Sequence, residues 1–338
     1  MKTRDKLIIS VIVILVLLVI GNFALRFHLP PVTVSPEALP GVVVGGVELT
    51  NTLITALLVD IILIVLAILG TRNMQLVPKG FQNLLELVVE AIYNLTESVA
   101  GARWTPRFFA IVATIFFYIL VSNWFGLIPG LAAFGICEGH LVGEAVQHAA
   151  VPGLAAPMMD ASQEDPPSPT GCQTGDVLVP LFRSPSTDLN NNLALAIISV
   201  FMTQVYGVMA GGADYFTRFF NIKGIIRAFQ ADRHGRRRGC SGTLSTFMFG
   251  FIDFFVGVLE TISEFAKIIS FSFRLFGNIF AGEVMLLVLA SLVPLVLNIP
   301  FLGLEVFVGL IQAFIFYILT VAFFSVATAS HDHGGEHR

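Results

Sequence analysis

Residues 271–283 read Phe-Ser-Phe-Arg-Leu-Phe-Gly-Asn-Ile-Phe-Ala-Gly-Glu, which sets Arg274 deep inside an apolar run long enough to be a membrane helix. A cation at the centre of a bilayer helix costs roughly 2.5–3.5 kcal/mol on insertion scales, so such residues line polar pathways or pair with another group. Arginine keeps its proton at any physiological pH. Arg274 therefore offers a fixed positive charge and cannot itself carry a proton.

The rest of the chain has the composition of a membrane protein. Of its 338 residues, 55% are hydrophobic and only 12% charged. Mean hydropathy is +0.83, and soluble domains carry about a quarter charged residues. Several runs approach or exceed the roughly 20 apolar residues that cross a bilayer. The reading is an all-α polytopic membrane protein of about six membrane helices, with a long, tilted C-terminal helical hairpin and an inner-surface amphipathic helix.

Lys2, Arg4 and Lys6 precede an apolar run over residues 7–20. That pattern fits a signal peptide or a first membrane helix, and the lack of a small-x-small cleavage site favours a retained helix. Residues 30–47 read as a short outer loop rich in Pro and Gly, which closes an N-terminal section, 1–47, ahead of the main domain, 48–338. The run 53–69 returns through the membrane with Asp60 near its centre, expected as a carboxyl group satisfied inside the bundle. Over 80–100, Phe81, Leu84, Leu85, Val88, Ile92 and Leu95 recur at helical spacing among Glu86, Glu90 and Glu97, predicting an amphipathic helix on the inner surface or against a partner.

After a span at 108–128, residues 131–187 are Pro-rich and acidic and hold a single basic residue, Arg183, which predicts an outer loop insertion. Cys137 and Cys172 fall in it, open to a disulfide or to two free thiols. Residues 189–210 cross back, and a basic cluster runs from Arg218 to Arg238. Between membrane helices such a cluster is a positive-inside signal, not a nucleic-acid site. Lys2, Arg4, Lys6, Arg72, Lys79, Arg103, Arg107 and Arg338 fall on the same side as that cluster, against Arg26 and Arg183 on the other. Both termini are then inside and the 131–187 loop outside.

From 246 to about 297 there is no strong break until the Pro294 region. Fifty residues of helix reach about 75 Å, against a hydrocarbon core of about 30 Å, so a broken or steeply tilted hairpin is expected, turning near 297–300. With Arg274 set at zero and about 100° per residue, Lys267 falls within about 20°, and Glu260 and Asn278 within about 40°. Glu264 sits about 80° away and Glu283 about 180° away. On the last helix Glu305 and Gln312 are seven residues apart and share a face. Such residues could be salt bridges holding a bundle together. A polar track with acids on either side of an Arg points instead to ion transfer, since carboxylates, amides and water relay protons.

At these residues the sequence resembles subunit a of the Fo sector of the rotary ATP synthase. Arg274-Leu275-Phe276-Gly277-Asn278 with Ala281-Gly282-Glu283 is similar to the family's signature, and Gln312-Ala313-Phe314-Ile315-Phe316 to the motif of its last helix. Asn123-Trp124-Phe125-Gly126, Val77-Pro78-Lys79-Gly80-Phe81 and Asp188-Leu189-Asn190 extend the likeness, which runs from about 48 to 329. The resemblance implies a static membrane partner of a rotating ring of c subunits, in company with peripheral-stalk b subunits and the remainder of the complex in the bilayer of a bacterial cell membrane. It implies that Arg274 faces the ring's carboxylates. Asn278, Glu283, Glu305 and Gln312 then match positions of an outer half-channel, with Asp188 and Asn190 near its mouth, and Glu260 and Lys267 positions towards the inner side. No nucleotide loop, metal set or nucleophile constellation is evident, so no cofactor is expected and ATP chemistry would belong to another subunit. One departure is that Lys267 is followed by Ile268 where family members often have Pro.

Two other classes fit less well. A secondary transporter using Arg274 for an anionic substrate would favour internal repeats and paired interrupted helices, and no convincing repeat is present. A membrane hydrolase would need a His-rich or Ser/Lys set inside the spans, whereas His331, His333 and His337 sit in a polar tail.

Overall fold

The computed structural model of the chain describes residues 38–44, 47–72, 74–75, 80–128, 131, 134–138, 177–212, 215, 219, 240–292 and 298–329. The expectations for residues 7–20, the body of the outer loop, the basic loop and the His-containing tail lie outside them. Among the described residues five helices are long and apolar enough to cross a membrane, and the protein is a multi-pass, essentially all-α membrane protein.

The order begins with a small antiparallel hairpin, β1 (Ala38–Val44) and β2 (Val47–Thr50), where the sequence reads as loop. Helix α1 follows directly (Asn51–Thr71), then α2 (Phe81–Ala100) and α3 (Thr105–Gly126). Strands β3 (Gly135–Glu138) and β4 (Val177–Pro180) pair antiparallel and close the outer insertion at its base. A 3-10 turn (Pro185–Thr187) leads into α4 (Leu189–Gly211). The last two helices are α5 (Cys240–Leu292, 53 residues) and α6 (Asn298–Ala329, 32 residues). Helix α5 is continuous, so of the two expectations for it the broken form does not hold. At about 1.5 Å per residue its length is about 80 Å.

The chain falls into two compact units, one of residues 1–64, 121–188 and 278–310, the other of 65–120, 189–277 and 311–338. In the second, α2 does not simply lie on a surface. Its buried residues Ile92 and Thr96 face α6. The Tyr317 hydroxyl donates to the Ile92 carbonyl at 2.8 Å and lies 2.7 Å from Thr96 Oγ1. Ser325 Oγ donates to the Val99 carbonyl at 3.0 Å. Phe108, Tyr206 and Phe324 form a ring cluster with centroids 4.7–5.2 Å apart, and Ser199 Oγ meets Thr320 Oγ1 at 2.9 Å between α4 and α6. In lipid, where apolar surface gives no driving force for association, such packing and interhelical hydrogen bonds hold helices together.

In the first unit, α3 meets α6 through Asn123 Nδ2 to the Gly309 carbonyl and Trp124 Nε1 to the Val306 carbonyl, each 3.0 Å. Gly309 permits this approach, since an added Cβ would sit 3.1 Å from that of Asn123. By contrast, Leu53, Leu57, Ile61, Ile64, Val65 and Ile68 leave most of α1 exposed. Asp60 is exposed as well, with no partner among the described residues. The expected carboxyl satisfied inside the bundle is not found among the described residues, where that face of α1 stays exposed.

Candidate functional site

Burial sorts the faces of α5 in the second unit. Phe271, Ser272 and Leu275 are buried, while Ser263, Ser270, Phe273 and Arg274 are exposed. The buried side is held by Phe271, whose ring lies 4.9 Å from Phe316 and 5.4 Å from Phe323. Arg274 is thus turned outward. Its Nη2 donates to Ser270 Oγ at 3.4 Å, its guanidinium lies 5.9 Å from the Phe271 ring, and among the described residues no carboxylate pairs with it. Buried Gln312 joins Arg274, Phe271, Leu275 and Phe316 around a small cavity.

About two to four turns earlier, the polar residues behave differently from Arg274. Lys267, close to it in helical phase, turns to Glu264: Nζ donates to Oε1 at 2.6 Å and lies 4.7 Å from the Phe323 ring. Glu264 is buried and its Oε2 has no partner among the described residues. It lines a cavity of about 360 Å³ together with Val200, Gln204, Phe219, Thr261, Phe265 and Ile268. Gln204 accepts from the Tyr215 hydroxyl at 2.9 Å and leaves its own Nε2 unmatched. Gly207 makes room for Tyr215, whose ring occupies the space of a Cβ there. Glu260 is half-buried on the same helix. Asn190 is exposed at the start of α4, whereas its neighbour Asn191 accepts from the Tyr118 hydroxyl at 2.9 Å and Asn192 is fully buried.

The first unit gathers the remaining acids. Glu283 on α5 is bound by Arg183, whose Nη2 donates to Oε2 at 3.3 Å. Glu305 on α6 is buried, and its carboxyl fills the space beside Gly282 that any Cβ would take. Asp188 is buried and accepts from Thr52 Oγ1 at 2.9 Å. Asn278 is exposed. The structure therefore brings Glu283, Glu305, Asp188 and Asn278 into one unit and Arg274, Gln312, Glu260, Lys267 and Asn190 into the other.

Three features of this arrangement escaped sequence reasoning: the contact of Arg183 with Glu283, the place of Gln204 at the cavity, and the burial of Glu264. Arg183 carried a signal, being the lone cation in a long acidic loop. Helical phase puts Glu264 about 80° from Arg274, at the edge of the polar stripe, but phase describes Cα directions and not where a long side chain ends.

Comparison with known proteins bears on what this arrangement is. Residues 52–325 match the family described as ATP synthase A chain. The ATP synthase subunit a of Campylobacter fetus subsp. fetus (strain 82-40) is 30% identical over 285 residues, 84% of this chain and 92% of that protein. That of Gloeobacter violaceus (strain ATCC 29082 / PCC 7421) is 28% identical over 282 residues, 83% and 85% of the two chains. A match over this much of the chain, including the stretches around Arg274 and Gln312, places the protein in the ATP synthase A chain family.

Proposed function

We propose that the chain is the ion-translocating stator subunit of an ATP synthase Fo sector, providing two offset half-channels that pass protons to and from carboxylates of a rotating c-ring. The observation that carries this is the exposed Arg274. A guanidinium in a membrane helix, exposed and without a carboxylate among the described residues, calls for a counter-charge from another molecule. A ring carboxylate supplies it. Brought within a few Å of a fixed cation, such a carboxylate is favoured in its ionised form. Its proton leaves on one side of Arg274 and is replaced from the other, while the same cation repels a proton crossing directly.

The outer route is assigned to Asp188, Asn190, Glu283, Glu305, Asn278 and Gln312. The inner route is assigned to Glu260, Lys267 and the cavity lined by Gln204, Thr261 and Glu264, where two unmatched polar atoms suit bound water. Each charge moved across the membrane gains about 2.3 kcal/mol per 100 mV, which is what the coupling harvests. Peripheral-stalk b subunits complete the partners, and the chain resides in a bacterial plasma membrane with both termini cytoplasmic.

Replacing Arg274 by Ala in the assembled complex, reconstituted in vesicles, tests this. Proton-driven ATP synthesis is expected to fall to background. Full coupling in the variant overturns the mechanism, and synthesis driven by sodium but never by protons revises the ion.

A further inference from the structure

The segment from β4 to α4 is built into the first unit as a strap. Asn51 Nδ2 donates to the Pro180 carbonyl at 3.2 Å, and the Leu181 amide to the Phe134 carbonyl at 2.8 Å. Phe182 stacks edge-on against Phe125 at 6.3 Å. The Arg183 amide donates to Thr55 Oγ1 at 3.2 Å, and Ser184 Oγ to the Ser122 carbonyl at 3.0 Å. Ser184 closes on Gly126, where an added Cβ would lie 2.6 Å from its own. Every residue from Arg183 to Asp188 is buried. The backbone on both sides of Arg183 is therefore fixed before its side chain is considered.

That side chain is only 7% exposed and ends on Glu283. Burying a guanidinium costs several kcal/mol unless it is paired, so a strap that anchors one this firmly serves the charge. Among the described residues of this unit Arg183 is the only cation, set among Glu283, Glu305 and Asp188. Asp188 accepts from Thr52, and Glu305 packs against Gly282, next to Glu283 in the chain. Arg183 Nη2 meets Glu283 Oε2 at 3.3 Å.

We propose that Arg183 is the positioning residue for Glu283: it fixes the direction and separation of that carboxylate from Glu305, so that the outer loop insertion, through its strap, forms part of the proton route. This rests on the ion-translocation reading above. Arginine suits the task because its planar fork is preorganised, while a lysine keeps the charge without the fork.

The test measures passive proton flux and proton-driven ATP synthesis in vesicles carrying the whole complex. The amount of assembled complex serves as the structural control. Arg183→Gln should lower flux about tenfold, the order expected when a reacting group loses its placement. Arg183→Lys should stay within about threefold of the parent, since the charge is kept. Ser184→Ala weakens the strap without touching the cation and should keep flux within about twofold, a side-chain hydrogen bond being worth only about 1 kcal/mol. In infrared difference spectra the carboxylate band that disappears in Glu283→Gln should shift in Arg183→Gln. Flux in Arg183→Gln equal to the parent overturns the proposal. So does a loss in Ser184→Ala as deep as in Arg183→Gln, which would make the strap a mere anchor. Should Arg183→Gln not assemble, Arg183→Lys carries the test: a shifted Glu283 band with flux retained supports the proposal and an unmoved band overturns it. Arg274→Ala, run alongside, separates the two claims. Loss of proton-driven synthesis there with normal flux in Arg183→Gln overturns only the role of Arg183, whereas full proton-driven synthesis in Arg274→Ala overturns ion translocation itself.

Discussion

At Gly282 an added side-chain carbon would meet the carboxyl of Glu305, the far end of a side chain from α6. The carboxyl of Glu305 occupies the place of the missing side chain, so any larger residue must push that carboxyl off its position. Gly282→Ala is expected to lower proton-driven synthesis about tenfold, as misplacement of a relay group by an ångström does. Glu305→Asp in the same background should restore part of it by withdrawing the carboxyl one carbon. Vesicle assays on the single and double variants check this, and equal defects in both would count against the steric account. At this scale the placement of Arg274 within an apolar helix was legible from sequence, because an unbroken apolar run on both sides of it leaves the backbone little alternative. The partnership of Arg183 with Glu283 was not, since the two lie 100 residues apart and meet only through tertiary packing. Asp60 shows the complementary case: an acid in a helix is legible, but which face the other described helices leave exposed is set by packing the sequence does not display.

Among the elements, α2 depends on α6 for its seat. The Tyr317 hydroxyl serves both the Ile92 carbonyl and Thr96, and its removal leaves the buried Thr96 hydroxyl to its own helix's Ile92 carbonyl alone. Tyr317→Phe is expected to cost about 1 kcal/mol, the usual net worth of such a bond. A small drop in melting temperature in detergent, with earlier protease cleavage within α2, would register it; an unchanged melting profile would argue that Phe packing compensates. The helices themselves were readable, as runs near 20 apolar residues leave the backbone little alternative in lipid. The hairpins were not. Strands β1 and β2 flank a Gly-Gly pair, a hairpin signal hidden by Pro40 and Gly41 in an apparent loop. Strands β3 and β4 pair across the length of the insertion, a contact no local pattern encodes.

For the whole molecule, the distribution of Lys and Arg predicts orientation. In a chain whose own cysteines are replaced, a cysteine at position 150 should react with a membrane-impermeant maleimide from the outer side of the membrane. One at position 230 should react only from the inner side. Labelling with the opposite sidedness would invert the topology and with it the two routes. Charge bias is summed over loops and needs no packing detail, so the sequence alone carries this expectation. The division into two compact units was not legible there, because α1, α3, α5 and α6 each contribute to both. The uninterrupted backbone ladder of α5 carries one more consequence. Proline is the commonest local cause of a sharp kink, and α5 contains none across its 53 residues, including position 268. With no imino nitrogen to interrupt it, each turn on either side of Arg274 keeps its place in the hydrogen-bonded ladder, and the guanidinium is carried on a backbone without a proline hinge.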